Sequence, residues 1–118
     1  MTVHRIPLER HETVVSVLRE AATQNADLEA YVEPHQPGGA ERRAMTFARW
    51  DRRADGVAGA LAELGVAKGD VVCLLLPSSI DYAVLYAALL RLGAITSGIN
   101  PRLGRAEVDS IVSRAQPV

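Results

Sequence analysis

The sequence predicts an α/β fold built on a βαβ unit, with a helix and a hairpin ahead of it. Three observations carry this reading. Val71-Val72-Cys73-Leu74-Leu75-Leu76 is an unbroken apolar run, the pattern of a parallel strand covered on both faces. Ser79 to Leu92 is apolar almost all round, with charge only at Asp81 and Arg91, so it reads as a buried helix. Gly93 stops that helix, and Ala94 to Ile99 reads as a second strand, reached by the right-handed crossover that parallel strands favour.

In chain order, a first helix is expected over residues 12–23, where Val14, Val17, Leu18, Ala21 and Ala22 recur at helical spacing. Glu12 near its start suits the helix dipole, whereas Arg19 and Glu20 towards its end oppose each other. Asn25-Ala26-Asp27 ends it. Residues 28–46 read as a hairpin. Its first arm sets Leu28, Ala30 and Val32 on one side and Glu29 and Tyr31 on the other; Arg43 to Thr46 is the second arm. Pro34, Pro37, Gly38 and Gly39 exclude regular structure between the arms, leaving a simple connection or a functional loop. Thr46 is placed to cap a helix over residues 47–64, whose inward stripe is Phe47, Trp50, Ala54, Val57, Ala58, Leu61 and Leu64. Its arginines are interleaved with acids and read as a solvated face rather than an anion patch.

Gly65 ends that helix in the left-handed manner. The following turn, Val66 to Asp70, carries glycine and lysine but precedes a strand, so it lacks the strand–loop–helix order a phosphate loop needs. Ser78 is placed to cap the apolar helix, with Asp81 three residues on. An anion at that helix N-terminus is the competing use, and the charge of Asp81 opposes it. A helix apolar on every side has little to pack against in so short a chain. After the turn Asn100 to Gly104, residues 105–115 form a last helix with Val108, Ile111, Val112 and Ala115 inward.

Composition narrows the function. With 13 basic and 14 acidic residues the net charge is −1, without the basic excess of a nucleic-acid-binding domain. The single cysteine, Cys73, lies in the apolar run and reads as a small buried hydrophobe. His4, His11 and His35 are scattered and share no metal-ligand spacing. Neither a Ser–His–Asp order nor a close pair of carboxylates with divided acid and base roles is visible, so the residues point to no catalytic, cofactor-binding or metal site. Met1 to Pro7 has no signal-peptide core, and the charge-free stretch Tyr82 to Leu90 is far short of the ~20 residues of a membrane span; a cytoplasmic location is expected.

Several pieces in the right order then carry a resemblance. Met45-Thr46-Phe47 with Trp50 is similar to the motif L-[TS]-Y-x-E-L. Leu90-Arg91-Leu92-Gly93-Ala94 through Asn100 and Pro101 is similar to L-K-A-G-A followed by P-[LI]-[DN]. Gly69-Asp70 and Leu76-Pro77 match the G-D-x-V and L-P-N-S pieces between them. The chain, over about residues 12–118, thus resembles the N-terminal region of the adenylate-forming enzymes: AMP-forming acyl-CoA synthetases, peptide-synthetase adenylation domains and beetle luciferases. It departs from the motifs at Arg49, Gly98 and Gly104-Arg105, and Ser97 to Pro101 is most similar to the acyl-CoA and aryl-CoA ligases.

The resemblance implies that residues 1–118 are part of a larger AMP-binding N-domain, a parallel sheet flanked by helices. It implies ATP, Mg2+, CoA and a small carboxylic acid as ligands of a full-length ligase of fatty acid metabolism. The family's phosphate loop, metal-binding acid, acyl pocket and catalytic lysine lie downstream of these motifs, so the chain alone is expected to be inactive. Thr46, Phe47, Trp50, Gly69, Asp70, Pro77, Gly93, Asn100 and Pro101 are accordingly structural positions, and the expected partner is the rest of the polypeptide. The alternatives are a stand-alone α/β interaction or regulatory module, and a fragment of a peptide-synthetase adenylation domain or luciferase-like enzyme. Module and fragment differ in whether the apolar helix is covered or leaves surface prone to self-association.

Overall fold

The computed structural model describes residues 2–118. Asn25, buried at a helix end, clips the N-terminal arm: its side chain accepts from the His4 amide at 2.8 Å and donates to the His4 carbonyl at 3.0 Å. The first helix, α1 (Val14–Gln24), starts two residues later than its periodicity suggests, because the Thr13 hydroxyl caps it by accepting from the Ser16 amide at 3.2 Å. Val14 is consequently exposed, and Ala22 is the buried residue of the stripe.

Strands β1 (Glu29–Glu33) and β2 (Arg43–Thr46) pair antiparallel as a hairpin. The register slips between Glu29 and Tyr31. An extra residue of this kind re-aims the side chains beyond it. Tyr31, assigned by simple alternation to the side away from Val32, therefore lies edge-on to Trp50, with ring centroids 5.4 Å apart, while Val32 is exposed.

Helix α2 (Phe47–Glu63) begins directly at the end of β2. Its orphan amides are satisfied locally: Arg49 N–H donates to the Thr46 hydroxyl at 3.2 Å, Phe47 N–H to the Leu28 carbonyl at 2.9 Å, and Ala48 N–H to the Ala26 carbonyl at 3.0 Å. At its other end Gly65, at φ +98°, lets Val66 N–H reach back to the Leu61 carbonyl at 3.0 Å. Leu64 therefore ends the helix pointing outward, 82% exposed, and is not part of the inward stripe.

Strand β3 (Val71–Leu74), helix α3 (Ile80–Leu92) and strand β4 (Ile95–Gly98) form the βαβ unit, with β3 and β4 parallel from Val71 opposite Ile95 to Leu74 opposite Gly98. The strand is shorter than the apolar run. Leu75 is half exposed, and Val71, Val72 and Cys73 are half-buried rather than buried on both faces. The reason is that among the described residues this sheet has two strands, so one edge of β3 carries no partner strand. The cap of α3 is Ser79, not Ser78: the Ser79 hydroxyl accepts from the Tyr82 amide at 3.1 Å. Helix α4 (Arg105–Ala115) follows, its Gly104 N–H donating to the Glu107 carboxylate at 3.0 Å.

The core lies where α2, α3 and the hairpin meet, around Met45, Trp50, Ala54, Ile80, Val84 and Ala87. Fully buried alanines at positions 54 and 87 let α2 and α3 approach closely. The molecule is nonetheless open. Its accessible surface is 7924 Å², against about 6,200 Å² for a compact monomer of its mass. Its radius of gyration is 16.0 Å, against about 13.5 Å for a compact domain of this length.

Candidate functional site

Six of the nine motif residues form two groups at opposite ends of the β3–β4 pair. Gly69, Asp70 and Gly93 meet at the amino ends of the strands. Gly69, at φ +87°, donates to the Gly93 carbonyl at 3.0 Å, and the Asp70 carboxylate closes the preceding turn by accepting from the Ala67 amide at 2.8 Å. The Asp70 carbonyl then accepts from Ile95 N–H at 2.7 Å, which starts the parallel ladder. Gly93 is left-handed at φ +70° and lies against the stem of Lys68. Pro77, Asn100 and Pro101 follow the carboxyl ends of the strands, where ligands of open α/β sheets usually sit. Asn100 is already engaged, its side-chain oxygen accepting from the Arg102 amide at 3.0 Å.

Thr46, Phe47 and Trp50 belong to the α2 start. Trp50 is buried, and its indole N–H donates to the Ala83 carbonyl at 3.1 Å, pinning α2 to α3. Phe47 packs edge-on against the same indole at 6.3 Å.

An open cleft of about 940 Å³ lies between the hairpin and the first turns of α3. Here the anion position considered at the α3 N-terminus is filled by a residue sequence reasoning did not single out. Glu33, at the end of β1, accepts from the Ile80 amide at 2.7 Å through one oxygen and pairs with Arg43 at 3.2 Å through the other. Residues 47 positions apart in sequence meet here, and no local pattern signals such a pairing. Partial burial in the same region pushes the Tyr31 phenol above its ordinary range.

Two further clusters tie the helices together. Arg91 is almost fully buried. It binds the Asp51 carboxylate, pairs with Asp55 at 2.7 Å and donates to the Ala87 carbonyl at 3.0 Å. Asp55 in turn receives both guanidinium nitrogens of Arg19, at 2.8 and 3.2 Å. The Arg19 hydrogen bond, with help from Arg91, holds the Asp55 carboxyl below its ordinary value, and Asp55 raises Arg19. Part of the charged face of α2 is thus an interhelical bridge and not simply a solvated surface. Just before α1, His11 lies between the Ser16 hydroxyl at 2.9 Å and the Glu20 carboxylate at 2.5 Å. The arrangement has the membership of a nucleophile triad. The Ser16 hydroxyl, however, donates to the Thr13 carbonyl at 2.9 Å, which makes the cluster a brace for the start of α1. Among the described residues no group of three His, Cys, Asp or Glu side chains is placed to hold a metal ion. No helix among them is long and apolar enough to cross a membrane.

A βαβ unit whose helix packs on α2 is part of an α/β domain with a parallel sheet. The chain belongs to the AMP-binding enzyme family, which matches residues 18–118. It is 40% identical over 97 residues to the long-chain-fatty-acid–CoA ligase FadD13 of Mycobacterium tuberculosis, a match covering 82% of this chain and 18% of that protein. Among solved structures, a Mycobacterium tuberculosis fatty acyl CoA synthetase superposes with a TM-score of 0.77 at 37% identity, covering 89% of this chain and 20% of the other. The anthranilate CoA ligase AuaEII, solved with anthranoyl-AMP, gives a TM-score of 0.79 at 29% identity, covering 99% of this chain and 21% of the other. The chain therefore spans about a fifth of the length of these relatives.

Proposed function

We propose that the chain is the N-terminal scaffold of an ATP-dependent, AMP-forming acyl-CoA ligase. In that reaction a carboxylate attacks the α-phosphorus of ATP, forming an acyl-adenylate and expelling pyrophosphate. The CoA thiol then attacks the acyl carbon and AMP departs. ATP, Mg2+, CoA and a small carboxylic acid are ligands of the longer protein, whose remaining polypeptide is this chain's partner. Residues 1–118 are one part of its AMP-binding domain, and its location is cytoplasmic. The chain contributes no reacting group; it supplies the rigid α2–α3 layer and the first two parallel strands.

The observation that carries this reading is the family match over residues 18–118 in a chain that spans a fifth of its relatives. The excess accessible surface agrees with it, since the parallel sheet is uncovered beyond its two strands. The test is paired. The 118-residue chain is expected to give no ATP–pyrophosphate exchange with any carboxylate. The longer polypeptide, given Mg2+, ATP, CoA and long-chain or aromatic acids, is expected to release AMP and form a thioester. Exchange by the short chain would overturn the scaffold role, and AMP release without thioester would overturn the ligase assignment.

A further inference from the structure

Residues 4–11 form an arm tied to α1 at both ends. At one end the His4 backbone exchanges two hydrogen bonds with the Asn25 side chain, and neither involves a titratable group. At the other end the His11 ring bridges Ser16 Oγ and Glu20 Oε2. The His11 and Glu20 side chains are 11% and 26% exposed, so little water competes for their contact. All these partners lie within residues 4–25, so the arrangement is complete in this chain.

The hydrogen bonds fix the protons. A serine hydroxyl has one hydrogen, and Ser16 gives it to the Thr13 carbonyl at 2.9 Å. Oγ therefore accepts from Nδ1, which must carry a hydrogen. An ionised carboxylate has no hydrogen to give, so the 2.5 Å contact with Glu20 needs one on Nε2 as well. The ring so placed is an imidazolium; with the bridging proton on Glu20 instead, the pair still holds it. A neutral ring beside an ionised Glu20 has one hydrogen too few. Ser16 must then turn its hydroxyl from Thr13 to Nδ1, and the contact with Glu20 loses its charge assistance. Of the other charges nearby, His4, Arg5 and Arg10 line the hollow beside Glu20, and Glu12 follows His11 in sequence. The charges that α2 and α3 bring towards α1, Asp51, Asp55 and Arg91, are engaged with Arg19 and with one another.

We propose that residues 4–11 are a pH-sensitive strap, docked on α1 while the His11–Glu20 pair holds its extra proton and freed at the His11 end when that proton leaves. His4 stays clipped to Asn25, so the arm swings and does not detach. Docking that retains a proton is complete at acid pH and fades as pH rises, because freeing the arm frees the proton. Histidine ordinarily changes charge between about pH 5 and 8, which places the swing near neutrality. This is independent of the ligase reading.

The test is amide deuterium exchange of the 118-residue chain at acid and alkaline pH, about 5.5 and about 8, corrected for intrinsic rates. Proton–nitrogen spectra of the imidazole at both pH values accompany it. The reporters are the Arg10 and His11 amides, which bond to the Pro7 and Leu8 carbonyls within the arm. Their protection should fall roughly tenfold from acid to alkaline pH, the difference between a charge-assisted and a neutral hydrogen bond. The His4 amide, held by Asn25, should change less than about twofold. His11→Gln should make the protection independent of pH, and Glu20→Gln should lower the acid protection to near the alkaline value. His4→Gln, which alters an exposed side chain and leaves the backbone clip, should change neither. Equal protection at the two pH values would overturn the proposal, as would the same fall persisting in His11→Gln. So would an Nδ1 without its hydrogen at the acid pH.

Discussion

Gly98 marks a departure from the family motif, and the structure shows what its missing side chain permits. A β-carbon added there would sit 2.5 Å from the Tyr82 hydroxyl oxygen and 3.7 Å from the ring carbon that bears it. The first distance is a clash and the second an ordinary contact. Gly98→Ala should therefore destabilise the chain by about 1–3 kcal/mol, the usual cost of overpacking. Tyr82→Phe removes the offending oxygen. In that background the same Gly98→Ala change should become stabilising, by about 0.5–1 kcal/mol, because alanine loses less backbone entropy than glycine in a strand. The coupling between the two sites, read from a double-mutant cycle by urea denaturation followed by circular dichroism, should thus be at least about 1.5 kcal/mol. If Gly98→Ala has the same effect with and without the Tyr82 hydroxyl, the reasoning fails, because the ring then swings aside freely.

Four further outcomes are expected. Glu33→Ala should cost about 1–2 kcal/mol in urea denaturation, since the Ile80 amide loses its acceptor, while Glu33→Gln, which keeps an acceptor oxygen, should cost less. Arg91→Met should cost about 2–4 kcal/mol by leaving Asp51 and Asp55 facing each other, whereas Arg19→Met, at a half-exposed site, should cost under about 1 kcal/mol; equal losses by thermal melting would refute the distinction. Asp55 has a lowered value when folded, so its contribution is present above the ordinary 3.8 and disappears as pH falls through the folded value. Asp55→Asn should accordingly flatten the acid limb of a stability-versus-pH curve. Tyr31 has a raised value, so its contribution is complete below the ordinary 10.0 and is lost as pH rises towards the folded value. Tyr31→Phe should remove that alkaline loss, and an unchanged alkaline limb would contradict the burial of the phenol.

The family resemblance picked out the motif residues, but their tasks came from geometry. Trp50 was legible as an inward aromatic, yet its bond to the Ala83 carbonyl joins positions 33 apart in sequence. Asp70 was legible as half of a Gly-Asp pair, and its work in starting the parallel ladder requires β4 beside it. The cleft was not legible at all. Its walls come from the hairpin and from α3, and nothing local couples Glu33 to Ile80.

By itself the sequence carried the order of helices and strands from α1 onwards, though not the short 3-10 turn Leu8–Arg10 before it. Helical spacing, apolar runs and glycine stops act within a few residues, so Gly65 and Gly93 end helices whatever surrounds them. The tertiary structure alone decided where a single strand residue slips register at Tyr31, which carboxylate caps α3, and which acids bind Arg91. It also decided that Val71, Val72 and Cys73 are only half-buried. Burial and charge pairing depend on what lies across the fold, and an apolar run records a strand's capacity to be covered without supplying the neighbour that covers it.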